Sequence, residues 1–125
     1  MKTQAIFLVE DSPLVRDRLL EMIESVPGAK VVGFASRADE AVRGILAARP
    51  DLVVLDLNLA QGNGIDVLRK LRLEAPRIDV YMLSAYASSP YRQLAKRLGA
   101  RDFFDKSTEF ARVKDVVAAR AARAH

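Results

Sequence analysis

The sequence predicts an α/β fold: a doubly wound, five-stranded parallel sheet with five flanking helices. Two observations carry that expectation. Short apolar runs rich in β-branched residues alternate five times with longer stretches whose apolar residues recur at three- and four-residue spacing. The segments between them are brief and marked by Pro, Gly, Ser and Asp, so each strand feeds a helix directly. Strict alternation of this kind requires parallel strands joined by right-handed crossovers, with helices on both faces of the sheet.

The first strand is Ala5-Ile6-Phe7-Leu8-Val9, ending at Glu10-Asp11. Ser12 and Pro13 then read as an N-cap and first helical residue: a serine oxygen accepts a free first-turn N–H, and proline's missing N–H costs nothing there. Val15, Leu19, Met22, Ile23 and Val26 follow at helical spacing until Pro27-Gly28. Lys30 to Ala35 is a second strand, and Ser36 caps a helix carrying Ala38, Ala41, Val42, Ile45 and Leu46. Beyond Arg49-Pro50-Asp51 comes the central apolar run, Leu52 to Leu59, with one carboxylate, Asp56, near its end. Such a run reads as a strand buried on both faces.

Gly64 opens a third helix with Ile65, Leu68, Leu71 and, at the margin, Leu73 inward, ending before Pro76. Ile78 to Leu83 is a fourth strand that delivers Ser84. Ser89-Pro90 repeats the cap-plus-proline signal for a short helix with Tyr91, Leu94, Ala95 and Leu98, stopped by Gly99. Arg101 to Phe104 forms a short fifth strand, followed by Asp105-Lys106. Ser107 or Thr108 then caps a last helix reaching about Ala122, with Phe110, Val113, Val116 and Val117 on one face.

With 125 residues and half of them hydrophobic, the chain fits one domain, 1–125, with a real core. No cysteine is present, which excludes disulfides, a thiolate nucleophile and cysteine metal sites. The single histidine, His125, is the last residue and reads as a frayed end, so histidine catalysis within the chain is excluded. The sequence shows neither a membrane-spanning apolar stretch nor a signal peptide, so a cytoplasmic location is expected. The net charge of +4 comes from scattered basic residues, which reads as a solvated surface and not as a nucleic-acid face.

In an open parallel sheet, ligands bind beyond the carboxyl ends of the strands, where strand order reverses. Glu10 and Asp11 follow strand one, Asp56 closes strand three, Ser84 follows strand four and Lys106 follows strand five. If strands one and three are neighbours, their ends lie roughly 5 Å apart and three carboxylates share one crevice. A like-charged pair near 4 Å costs about 4 kcal/mol at an effective dielectric of about 20. Lys106 offsets part of this. Mg²⁺, a hard cation that favours carboxylates, waters and phosphate, would offset more. Taken singly, Ser84 also suits a strand-end cap and Phe103 a core aromatic.

This set, Glu10-Asp11, Asp56, Ser84-Ala85, Phe103 and Lys106 in order, resembles the receiver domain of two-component response regulators, of the single-domain chemotaxis-regulator type. The resemblance covers essentially the whole chain. It implies a flavodoxin-like sheet of order 2-1-3-4-5, with Asp56 as the acceptor of a phosphoryl group from a histidine kinase or histidine phosphotransfer protein. It also implies Mg²⁺ held by Glu10, Asp11, Asp56 and the Asn58 backbone carbonyl. Lys106 would pair with Asp56, Ser84 would reach the phosphoryl group, and Phe103 would turn inward with it. Ala85 and Tyr86 would set access to the site. The implied protein is a signalling switch whose only chemistry is its own phosphorylation and dephosphorylation, monomeric or dimerising on phosphorylation.

Three features depart from that pattern. Ser107 stands where many receivers have proline in a cis bond, so a trans bond or an unusual loop is expected. The switch aromatic is Phe103, without a hydroxyl, and Tyr86 is bulky for its position. Output is expected on the fourth helix, fifth strand and fifth helix, where Tyr91, Arg92, Lys96, Arg101, Arg112 and Lys114 suggest an acidic protein partner. No output module follows the last helix, so the sequence reads as a stand-alone regulator or an excised receiver. Competing readings are a phosphorylation-independent pseudo-receiver, a Toprim-like Mg²⁺ enzyme, which would want Asp-x-Asp where Asp56-Leu57-Asn58 stands, and a flavodoxin-like electron carrier. In the last, Glu10-Asp11 would repel the phosphate.

Overall fold

The computed structural model describes residues 3–86 and 88–123, so His125 lies outside the described residues. The chain runs β1 (Gln4–Val9), α1 (Pro13–Glu24), β2 (Ala29–Ala35), α2 (Ala38–Ala48) and β3 (Leu52–Leu55). It continues through α3 (Gly64–Glu74), β4 (Asp79–Ser84), α4 (Ser89–Arg97), β5 (Asp102–Asp105) and α5 (Arg112–Arg123). All four strand pairings are parallel and the order is β2-β1-β3-β4-β5. The predicted architecture is therefore present.

Alternation along the strands divides the core in two. Phe7, Val9, Leu55, Met82 and Phe103 pack with Ile45 of α2, Leu68 of α3 and Ala95 of α4. Ile6, Leu8, Val54 and Phe104 pack on the other face, with Leu19 and Ile23 of α1 and Val113 and Val117 of α5. Phe103 and Phe104 thus both lie buried, one under each helix layer.

Four local expectations are corrected. The N-cap of α2 is Arg37, not Ser36, and no side chain caps it, because the Ala38 amide donates to the Gln61 carbonyl at 2.9 Å. The α4 cap falls on Ser88, one residue earlier than expected, with Ser89 and Pro90 inside the helix. Leu73 is 85% exposed, since it sits two positions past the buried Leu71 and so projects away from the core face. Neither Ser107 nor Thr108 caps α5. The Ser107 amide and hydroxyl both donate to the Asp105 carboxylate, at 2.8 and 2.6 Å, and residues 106–111 form turns before the helix starts. Phe110 therefore precedes α5, with the Arg18 guanidinium over its ring. The Lys106–Ser107 bond is trans, as expected.

One packing detail explains glycine inside two regular elements. A Cβ at Gly33 of β2 would lie 2.7 Å from Cε2 of Phe7, and one at Gly44 of α2 would lie 2.7 Å from Cζ of the same ring. The buried Phe7 ring fills the space that both glycines leave open. Helix propensity alone predicts that Gly44→Ala stabilises by about 1 kcal/mol. Overpacking against a buried ring predicts a net loss of about 1–3 kcal/mol, and urea unfolding should show the loss.

Candidate functional site

Backbone hydrogen bonds carry the site residues past the formal strand ends. The Glu10 amide donates to Ala35 at 2.9 Å and the Asp56 amide to Val9 at 2.9 Å, so both residues still follow the sheet. The Lys106 amide donates to Ser84 at 3.0 Å, which brings the end of β5 alongside β4. Close behind Asp56, α3 begins at Gly64, where a Cβ would stand 2.2 Å from the Asp56 carbonyl oxygen. Only glycine permits that approach of helix to strand end.

Asp56 and Glu10 are each 3% exposed, whereas Asp11 is exposed. One carboxylate oxygen from each of the three lies within 4.8 Å of the others. The Lys106 ammonium donates to Asp56 Oδ2 at 2.8 Å and lies 2.8 Å from Glu10 Oε1. Sequence reasoning gave Lys106 only the first of these partners. Asp56 Oδ1 accepts the Asn58 amide at 3.2 Å, and Glu10 Oε2 accepts the Ser12 amide at 3.0 Å. Ser12 also caps α1 as predicted, through the Val15 amide at 3.3 Å.

Burial pushes the Glu10 carboxyl up to about 7, against the opposing pull of Lys106 and the Ser12 amide. Burial likewise raises Asp56, again opposed by Lys106. Burial would lower Lys106, but its hydrogen bonds to Asp56 and Glu10 outweigh that and raise it. The ammonium is therefore held charged, while burial opposes the charging of Glu10 and Asp56.

Ser84 is fully buried at the end of β4, its Oγ accepting the Tyr86 amide at 3.0 Å. Ala85 is exposed, and Tyr86 is 62% exposed beside the site. Phe103 is fully buried under α4.

The cationic surface expected around α4, β5 and α5 is largely paired within the chain. Arg92 donates to the Phe103 carbonyl at 2.7 Å and to Glu109 Oε1 at 2.9 Å, and its guanidinium lies over the Phe103 ring. Arg112 pairs with Glu109, Lys96 with Asp102 and Arg101 with Asp79. Arg92 is thus a structural tie and not a free surface charge. The sequence carried no signal for it, because Glu109 lies seventeen residues away with no periodic relation.

Among the described residues no helix is long and apolar enough to cross a membrane. Residues 6–118 match the family described as the response regulator receiver domain. The DNA-binding transcriptional activator DevR/DosR of Mycobacterium tuberculosis is 39% identical over 92% of this chain and 55% of its own length. A protein-glutamate methylesterase/protein-glutamine glutaminase of Syntrophus aciditrophicus is 32% identical over 89% of this chain but only 32% of its own. The chain therefore spans between about a third and about half of these curated relatives. A solved two-component response regulator of the LuxR family from Aurantimonas sp. superposes with a TM-score of 0.88 at 32% identity, covering 97% of this chain and 86% of that one. Sequence match, superposed fold and the acidic trio at the sheet edge agree, and the chain belongs to the response regulator receiver domain family.

Proposed function

We propose that residues 1–125 form a single receiver that takes a phosphoryl group onto Asp56 from a phosphohistidine on a histidine kinase or histidine phosphotransfer protein. The observation that carries this is the Lys106 ammonium at 2.8 Å from both Asp56 and Glu10, beside Asp11. A carboxylate oxygen of Asp56 attacks phosphorus, the phosphorus–nitrogen bond of the donor breaks, and the imidazole leaves with the bonding electrons. Such a transfer needs placement and charge neutralisation more than covalent help from the protein. Lys106 is within reach of one phosphoryl oxygen, and the Ser84 hydroxyl would turn from the Tyr86 amide to meet another. Phe103, fully buried beneath α4, would adjust its packing as the hydroxyl moves.

The residues present fit Mg²⁺: three hard carboxylates and one ammonium leave a net negative crevice. Glu10, Asp11, Asp56 and the Asn58 carbonyl would hold it, and when bound it would neutralise charge developing on the phosphoryl oxygens. The protein acts as a switch in the cytoplasm, promoting only its own phosphorylation and dephosphorylation. Its phosphorylated form, monomeric or dimeric, presents the α4, β5 and α5 surface to a protein target, with no direct contact to nucleic acid. Phosphorylation need only bias a pre-existing two-state equilibrium of Ser84, Phe103 and that surface.

Three outcomes test this reading. Incubation with Mg²⁺ and acetyl phosphate, or with a phosphorylated histidine kinase, should add one phosphoryl group by intact mass, and Asp56→Asn should abolish the gain. No gain with either donor would leave a phosphorylation-independent binding module. The exposed Tyr86 ring restricts water beside the site, so Tyr86→Ala should shorten the phosphoryl lifetime several-fold; an unchanged lifetime removes that role. The third outcome concerns pH. Glu10 is neutral in both states well below pH 4.5, its unfolded value, and ionises in the unfolded chain first as pH rises towards about 7. Metal-free stability should therefore fall across that window, and the raised Asp56 adds to the fall. Thermal melts should show the slope flattened in Glu10→Gln, and Mg²⁺ should raise the parent's Tm above pH 7 but not below 4.5.

A further inference from the structure

Lys106 must hold its ammonium between two carboxylates, yet the five residues after it form no regular structure. The Lys106 amide is held by the Ser84 carbonyl at 3.0 Å, and the residue before it is fixed by Glu109. Its Oε1 accepts the Asp105 amide at 3.0 Å, and the Glu109 amide returns a bond to the Asp105 carbonyl at 2.8 Å. The residue just before Lys106 is therefore held at both its N–H and its C=O by one residue. The same Oε1 accepts Arg92 of α4 at 2.9 Å, while Oε2 pairs with Arg112 of α5 at 3.0 Å. Arg92 in turn holds the Phe103 carbonyl at 2.7 Å. One carboxylate thus joins α4, the end of β5 and the start of α5, and Lys106 lies at the apex of the loop it closes.

We propose that Glu109, acting through the Asp105 amide and Arg92, is a positioning residue for Lys106 in phosphoryl acceptance. It touches no reacting atom. The inference rests on Asp56 being the acceptor, and it predicts more than stability. If Glu109 works by placing the ammonium, its effect on rate must disappear when the ammonium is absent, while its effect on folding stays.

The test is a double-mutant cycle on the full chain, read as phosphorylation rate with acetyl phosphate and Mg²⁺. Glu109→Ala should slow the parent about 10-fold, a partial loss on a scale where a 1 Å misplacement costs about 100-fold. In a Lys106→Ala background the same change should alter the already reduced rate by less than about 2-fold. Tm should drop in both backgrounds, because the ties of Glu109 to Arg92 and Arg112 do not depend on Lys106. Glu109→Gln, which keeps the side chain's shape, serves where Glu109→Ala folds poorly. A second readout needs no phosphorylation: a slowly exchanging Lys106 ammonium signal in nitrogen-15 NMR, assigned by its absence in Lys106→Arg. That signal should be present in the parent and lost in Glu109→Ala. Equal rate losses in both backgrounds, or a signal unchanged in both Glu109 variants, overturns the proposal. A parent that takes up no phosphoryl group overturns the acceptor reading instead, and the ammonium signal then decides the role of Glu109.

Discussion

The site depends on one ammonium reaching across the sheet. Lys106 leaves β5, but its partners stand at the ends of β3 and β1, two and three strands away in the order β2-β1-β3-β4-β5. At about 4.8 Å per strand the span to β3 is roughly 10 Å, which only a long side chain covers. Its stem must pass the end of β4, where Ser84 is buried. Lysine suits the task, because a compact ammonium with three donors can serve two carboxylates together. Without it, Asp56 and Glu10 would be two carboxylates held out of water with no cationic side chain paired to them among the described residues. Strand order, the short β5 and the loop after it are all constrained by the need to deliver that one charge.

The fold was legible because its signals are local and periodic. Each strand is a short apolar run and each helix carries an apolar stripe, so element type followed even where ends moved, as at the end of β3, which stops at Leu55 and not Leu59, and at the start of α5, which begins at Arg112. The polar edge was legible for a related reason: in a parallel sheet every residue following a strand is delivered to the same rim. What the sequence hid was tertiary competition for polar groups. Ser36 is a good cap by type, but the Gln61 carbonyl had already satisfied the Ala38 amide. Ser107 is another, but the Asp105 carboxylate engages it first. The second partner of Lys106 and the ties of Arg92 share that cause, since pairing over long sequence distance leaves no repeat to read.

The paired charges around α4 and α5 alter how that surface meets a partner. Arg92, Lys96, Arg101 and Arg112 were expected to project a positive field, yet each has an acidic neighbour within the chain. Long-range attraction from such a face is weak, so a partner docking there would have to be recognised by shape and by contacts made at close range. Tyr91, half out of α4, supplies apolar area of that sort.

The approach of Gly64 to the Asp56 carbonyl has a consequence for where motion can arise. On that side Asp56 is clamped by main chain alone, with its amide bonded to Val9 and a helix start pressed against its oxygen. On the opposite side, Ser84, Phe103 and Lys106 are set by hydroxyl, ring and carboxylate contacts that side-chain rotations can exchange. The crevice has a fixed wall and an adjustable one. Rearrangement of contacts beside Asp56 therefore has side chains to exchange on the flank of β4, β5 and the helices beside them.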